Sequence, residues 1–516
     1  MLTLTSMIKR TLRLHGERMA VLDSESSFTW RQFTDRVVRA ASALQTLGVS
    51  PGERFAILCR NGFRNAELMQ AGYWLGAVPV PINYRLAPPE IAYILDDAEC
   101  KLVAVEDVFS ETMNSESLAP WTDKVLLVSP ETSNSTWPQY QVLLSKAEPI
   151  PAYDAAEDDD AIIIYTGGTT GRPKGVRLSH RNIVSNALQL ACEMQPRGDD
   201  VFLHVAPMFH SAEFLSNPFV LSGAAHVYLP KFSGRALLEA IQNFGVTCTL
   251  LTPTMIIMTL QEKAFDQYDI FSLRQIMYGS SPMAAEWIRR AMARINNVEF
   301  IQSYGLTETA PILTTLSMAD HEQAIESGSN ELLHSVGRQL VGVDIKLVDE
   351  QGNEVAIGEP GEVVVRGPNI AKGYLKRPEA DAEAFRDGWF YSGDIARIDE
   401  RGYLYLLDRK KDMIISGGEL VFSLEVESVL YQHPKVQECA VVGVPDETYG
   451  EALLAAIVLA PGETVSDEEL ISFCCGKIGG YKIPRRYVFL DELPKSAMNK
   501  VLKLELRQRY GGEASE

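Results

Sequence analysis

The chain has 516 residues, more than one hydrophobic core of about 250–300 residues organises, so two or more domains are expected. An apolar share of 46% suffices for large cores, and a formal net charge of −20 argues against nucleic acid as the main partner, because phosphate backbones attract basic surfaces. Seven cysteines (Cys59, Cys100, Cys192, Cys248, Cys439, Cys474 and Cys475) are odd in number and lack paired zinc-ligand spacing, which predicts reduced, mostly buried thiols of a cytoplasmic protein.

Residues 1–13 lack the long apolar stretch of a secretory signal, and no run approaches the ~18 apolar residues of a transmembrane helix. Phe33, Val37, Ala40, Ala41 and Leu44 recur at helical spacing and predict a helix over 31–47. A buried strand is expected at 55–59, a helix at 66–76 and an extended segment at 78–82, bounded by its prolines. The acidic run Glu157-Asp158-Asp159-Asp160 reads as a solvated connection, and 161–164 reads as a strand. A helix follows on Ile183, Ala187, Leu190, Ala191 and Met194, with Ser179 as its cap. Helices alternating with short strands give an α/β class. A composition shift near 402–412 marks a domain boundary, with 1–407 as a large N-terminal domain and 408–516 as a small α+β domain. In the latter, strands are expected at 413–415, 439–442 and 453–459, and helices at 424–431 and 468–478.

The segment with the most chemistry is Tyr165-Thr166-Gly167-Gly168-Thr169-Thr170-Gly171-Arg172-Pro173-Lys174-Gly175. Glycines let backbone N–H groups approach an anion, the threonines add hydroxyl donors, and Lys174 adds a full charge, so the loop suits a nucleotide triphosphate. A Walker A loop would need Gly directly before the lysine and Ser or Thr after it, whereas Pro173 and Gly175 stand there. A Gly-rich turn alone can be a plain connection; the density of threonines and the lysine favours a phosphate site.

Together with Gln302-Ser303-Tyr304-Gly305-Leu306-Thr307-Glu308-Thr309, Tyr391-Ser392-Gly393-Asp394, Asp408-Arg409-Lys410-Lys411-Asp412 and Lys500, that loop resembles the motif set of the adenylate-forming superfamily. This superfamily includes acyl-CoA synthetases, luciferases and the adenylation domains of peptide synthetases. The resemblance runs from Phe28 to Arg507 and implies a large multi-subdomain ATP- and acid-binding domain plus a small mobile lid. It implies that Thr166, Gly167, Gly168, Thr169, Thr170 and Lys174 hold phosphates, and that Tyr304 lies against adenine with Gly279, Ser280 and Ser281 as the opposite wall. Thr307 would donate to the α-phosphate, Glu308 would face Mg²⁺, and Asp394 with Arg409 would hold the ribose. Lys500 would stabilise charge on the reacting phosphate. His210, in Met208-Phe209-His210-Ser211, would border the acyl pocket and thiol entrance. No Asp stands there to pair with a substrate ammonium, and Phe209, Ala212 and Phe214 favour a hydrophobic acid; Glu213 fits that picture poorly.

The resemblance further implies that Lys411 is a hinge and that Gly418 borders the acceptor tunnel after the lid rotates. This chain departs from many acyl-CoA synthetases at Asn499 (usually Gly), Leu420 (Asn) and Phe422-Ser423 (Tyr-Pro). The expected activity is an ATP- and Mg²⁺-dependent ligase that activates a carboxylic acid as acyl-AMP and passes it to coenzyme A. The departures keep open an amide ligase that delivers to an amine. Luciferase-like oxidation and a non-catalytic nucleotide sensor are the more distant alternatives.

Overall fold

The computed structural model describes residues 2–24, 26–129, 135–166, 172–446, 448–495 and 501–511. Their strands form five sheets. The largest has a parallel centre in which Ala225–Tyr228, Val201–His204, Cys248–Leu251, Gln275–Gly279 and Glu299–Tyr304 lie side by side. Parallel neighbours put their C-terminal loops along one edge, and ligand crevices of such sheets open there. The loops carrying Met208 to His210, Ser280-Ser281 and Gly305 to Glu308 are therefore brought together by topology, although they are spread over a hundred residues of sequence.

A smaller parallel sheet is ordered Val78–Pro81, Arg54–Leu58, Val103–Glu106, Val125–Val128. Helix Trp30–Thr46 belongs to the layer over these sheets. Its start is fixed by a capping box in which Thr29 and Gln32 each bond the other's backbone. Val37, Ala40, Ala41 and Leu44 are fully buried, as their spacing predicts. Ser179 caps helix His180–Met194 by accepting from the Asn182 N–H.

The strand predicted at 161–164 spans Asp160–Thr166 and forms a hairpin with Lys174–Ser179, joined by the short strand Gly373–Tyr374. The acidic run before it is only partly solvated. Asp160 forms ion pairs with Arg177 (2.9 Å) and Lys372 (2.8 Å), and Glu157 accepts from the Leu2 N–H. Another sheet pairs Trp389–Ile398 with Gly361–Arg366 on one side and Leu404–Arg409 on the other.

The next strand, Ile414–Ser416, enters a separate sheet with Glu419–Val421, Gly450–Leu459, Val436–Asp446 and Arg486–Phe489. This small C-terminal domain has its own apolar core around Ile414, Val426, Leu430, Val441, Leu453 and Leu470. The helix expected at 468–478 ends earlier, at Cys474. Gly476 takes a left-handed φ of +78° and Cys475 bridges Ile478, so the chain turns where apolar spacing alone would have continued the helix.

All seven cysteines are free, and Cys192 and Cys475 are the exposed ones. Among the described residues no helix is long and apolar enough to cross a membrane.

Candidate active site

The crevice edge is shaped first by what is missing from two positions. A Cβ on Gly279 would stand 2.3 Å from the Ser303 carbonyl oxygen, and one on Gly305 would stand 1.9 Å from the Pro311 oxygen. Only glycine lets these backbones pass so closely, and the strand ends next to Tyr304 pack directly against their neighbours. Ser280, directly after the strand, holds φ at +71°, a conformation that costs a non-glycine residue about 1–2 kcal/mol and concentrates at functional sites.

Tyr304 is 8% exposed, and its hydroxyl donates to Asp394 Oδ2 at 2.7 Å. Burial, then the Asp394 carboxylate, pushes the phenol well above its ordinary range, so it remains a donor. Arg409 lies opposite Asp394 in the strand register, and its Nε is 2.7 Å from Asp394 Oδ1. The Asp394 turn is itself braced. Ser392 Oγ accepts the Asp394 N–H, and Glu362 accepts from the Gly393 N–H while pairing with Lys410 at 2.9 Å. The ribose candidates and the cations beside the proposed hinge thus share one network.

Thr307 is buried at the start of the turn Thr307–Thr309, and its hydroxyl meets Ser211 Oγ at 3.3 Å. Glu308 accepts from the Tyr374 hydroxyl at 2.9 Å, and Lys174 Nζ lies 5.2 Å above the Tyr374 ring. Tyr374 therefore joins the phosphate-loop hairpin to Glu308. Nothing in its sequence surroundings marked it, because the pairing of Gly373–Tyr374 with Lys174–Ser179 spans about two hundred residues. Thr166 and Lys174 face each other at the two ends of the phosphate loop. Gly167, Gly168, Thr169, Thr170 and Gly171 lie outside the described residues, and so does Lys500.

Among the described residues no group of three His, Cys, Asp or Glu side chains forms a ready-made metal cage. The donor set here, one carboxylate beside a cation and phosphate-loop ends, instead suits Mg²⁺, which is commonly held by one or two carboxylates plus substrate phosphates.

His210 is half-buried and precedes the 3₁₀ turn Ser211–Ser216, where its Nδ1 accepts the Ala212 N–H at 3.2 Å. Asn61 fixes this segment from the smaller parallel sheet, accepting from the Met208 N–H and donating to the Ala206 oxygen, both at 2.9 Å. Phe209 packs edge-on against Tyr84. Glu213, the misfit of the sequence reading, turns away from that surface and reaches His204 at 2.8 Å.

This layout is matched by two family models. One, AMP-binding enzyme, covers residues 8–375, and the other, AMP-binding enzyme C-terminal domain, covers 425–500. The chain belongs to the AMP-binding enzyme family. Within this family the chain is similar to a feruloyl-CoA synthase of an Amycolatopsis species, 36% identical over 97% of this chain and 98% of the relative. Solved structures of similar shape include the amide bond synthetase McbA from Marinactinospora thermotolerans, with TM-score 0.88, 29% identity and coverage of 98% and 99% of the two chains. Another is the anthranilate CoA ligase AuaEII in complex with anthranoyl-AMP, with TM-score 0.90, 28% identity and coverage of 98% and 97%.

On the small domain of this AMP-binding enzyme, Gly417 and Gly418 have φ of +62° and +85° and join Ile414–Ser416 to Glu419–Val421. Two consecutive left-handed residues make the tight primed turn that two-residue hairpins require. Leu420 and its cross-strand partner Ile415 are exposed, an apolar pair where many acyl-CoA synthetases have Asn at the first position.

Ser423 acquires a role that proline could not fill. Its N–H donates to buried Asp408, and its hydroxyl meets Lys503 Nζ, which pairs with Glu427 at 2.7 Å. Ser423→Pro is expected to remove both charge-assisted bonds, each worth about 1.5–3 kcal/mol, measured as a lower unfolding temperature of the small domain. An unchanged melting curve would show these bonds to be idle.

Proposed function

We propose that this enzyme activates a hydrophobic carboxylic acid with ATP, releasing pyrophosphate, and transfers the acyl group from acyl-AMP to coenzyme A. The observation that carries this reading is the convergence of Tyr304, Asp394 and Arg409 with Thr307, Glu308 and Lys174 along one strand-end crevice. The relatives' names, feruloyl-CoA synthase and anthranilate CoA ligase, support the same chemistry.

In the first step a carboxylate oxygen attacks the α-phosphorus, and the bond from phosphorus to the pyrophosphate oxygen breaks, with the electron pair leaving on pyrophosphate. Asp394 accepts from the ribose hydroxyls, and Arg409 shares that position. The flat adenine would lie against Tyr304, with the Gly279-Ser280-Ser281 backbone as the opposite wall. Thr307 orients the α-phosphate, and Lys174, Thr166 and the intervening loop receive the outer phosphates. Glu308 would hold Mg²⁺, which supplies charge neutralisation to the triphosphate when bound. Lys500 stabilises charge that grows only as the reaction proceeds, which raises the rate and not merely the affinity.

In the second step the acceptor sulfur attacks the acyl carbon, the bond to AMP breaks, and the thiol proton is lost. We place the hinge at Lys411, so that rotation replaces Lys500 by the Gly417-Gly418 turn. We divide the chain into 1–407 and 408–516, with this hinge just inside the smaller unit.

A second reading delivers the acyl group to an amine. It is favoured by the exposed apolar Leu420 and by Phe422-Ser423 beside the acceptor turn, and the amide bond synthetase is among the chain's structural neighbours. Purified protein with ATP, Mg²⁺ and an acid panel should release pyrophosphate. Mass spectrometry with coenzyme A and amines in competition then identifies the acceptor. No release with any acid would overturn acid activation.

A further inference from the structure

Behind the turn Ser211–Ser216 lies a cavity of about 40 Å³, bounded by helices Trp30–Thr46 and Phe63–Leu75 and by the ends of strands Val201–His204 and Ala225–Tyr228. In the measure by which one water needs about 10–15 Å³, it has room for two or three waters or a small substituent. The turn is a shared wall. Ser211 touches Thr307 on one side, while Glu213, Phe214 and Ser216 line the cavity on the other.

The cavity is bordered by a polar relay set among apolar walls. Glu213 Oε2 is 2.8 Å from His204 Nδ1, and His204 Nε2 is 2.9 Å from His226 Nδ1. Tyr228 stacks on His204, and Trp30 meets His226 edge-on. His226 is 3% exposed and Trp30 2%, yet His226 Nε2 and Trp30 Nε1 have no partner among the described residues. Buried nitrogens are rarely left unpaired, so these two call for an occupant.

The relay specifies that occupant. Burial, then His204, holds His226 well below the usual imidazole range and therefore neutral. The contact with His204 uses His226 Nδ1, so Nε2 is the nitrogen left for the cavity, and in a neutral imidazole it donates or accepts according to which nitrogen carries the hydrogen. A hydroxyl serves both cases, because it donates and accepts, and it can take the Trp30 Nε1 hydrogen as well.

We infer that this cavity receives the far end of the acid, and that the acid carries there a hydroxyl, which pairs with His226 Nε2. The inference rests on the acid-activating reading above and narrows its substrate class from hydrophobic acids to hydrophobic acids with a hydroxylated tip. A site built to pair such a group rejects the analogue that lacks it, because the buried nitrogen is then left unpaired.

The test is pyrophosphate release by the full-length enzyme with matched acids that differ only at the far end. Hydroxyl and methyl forms are compared in aliphatic and aryl series of graded length. At the length that fits, hydroxyl should exceed methyl by about 10- to 100-fold in kcat/KM, mainly through KM. His226→Leu should reverse that order, and His226→Gln, which keeps a polar partner, should restore it. Methyl forms equal to hydroxyl at every length overturn the inference and mark the cavity as permanently water-filled. So does a His226→Leu loss shared equally by both forms. The wild-type ranking decides even where a variant does not fold. Release from methyl acids without hydroxyl preference removes this inference alone, whereas no release from any acid removes acid activation with it.

Discussion

Lys500→Ala should lower pyrophosphate release by on the order of 10²–10³-fold, with a much smaller loss in the transfer step assayed from presynthesised acyl-AMP. The two neighbouring lysines are engaged elsewhere. Lys495 pairs with Glu438 at 2.7 Å, and Lys503 is buried against Glu427 at 2.7 Å, so both serve the small domain's own packing. Lys495 also bridges Val501, which brackets the segment that ends in Lys500. Of the three, Lys500 is the one that the resemblance assigns to charge developing between the α-phosphate and the departing pyrophosphate. A group that acts only on that charge affects kcat far more than the KM for ATP. The split between half-reactions is the decisive readout, because a lysine needed only for folding would depress both. Undiminished acyl-AMP formation by the alanine variant would remove Lys500 from the mechanism.

The sequence carried the layered α/β architecture because its signals are local. Val37, Ala40, Ala41 and Leu44 announce a buried helix face, and Ser179 announces a helix start, from residues within a few positions of each other. The motif residues were legible for a different reason: Thr307, Glu308, Asp394 and Arg409 are of types that nucleotide chemistry needs, and they stand in a familiar order. Contacts made by topology were not legible. Tyr374 reaches Glu308 only because a two-residue strand joins the phosphate-loop hairpin. The relay from Glu213 through His204 to His226 needs two parallel strands and a returning turn, and in sequence it is three scattered polar residues in apolar company. Ser423 was visible as a departure from proline, but its bond to Asp408 depends on how the first helix of the small domain approaches the strand Leu404–Arg409. Local energetics sets the elements, whereas the long-range register sets which polar groups meet.

Asp394→Ala should raise the KM for ATP, and lower kcat/KM for ATP by on the order of 10²-fold, with little change when the acid is varied. As a carboxylate, Asp394 can accept from two ribose hydroxyls, and each such charge-assisted bond contributes about 1.5–3 kcal/mol. The substitution also strands its neighbours. The buried Tyr304 hydroxyl loses the acceptor it meets at 2.7 Å, and Arg409 loses its ion pair. Arg409 keeps 44% of its side chain in solvent, so its share of the loss is screened, and the larger part falls on Tyr304 and the ribose. Asp394→Asn separates these contributions. An amide oxygen still accepts from Tyr304 or one ribose hydroxyl but cannot serve both sugar hydroxyls and the guanidinium, so its effect should lie between wild type and alanine. Comparing ATP with 2′-deoxy-ATP completes the argument: an Asp394 that holds the ribose makes wild type discriminate between them and makes the alanine variant nearly indifferent. Equal discrimination in both proteins would mean that Asp394 braces Tyr304 without touching the sugar.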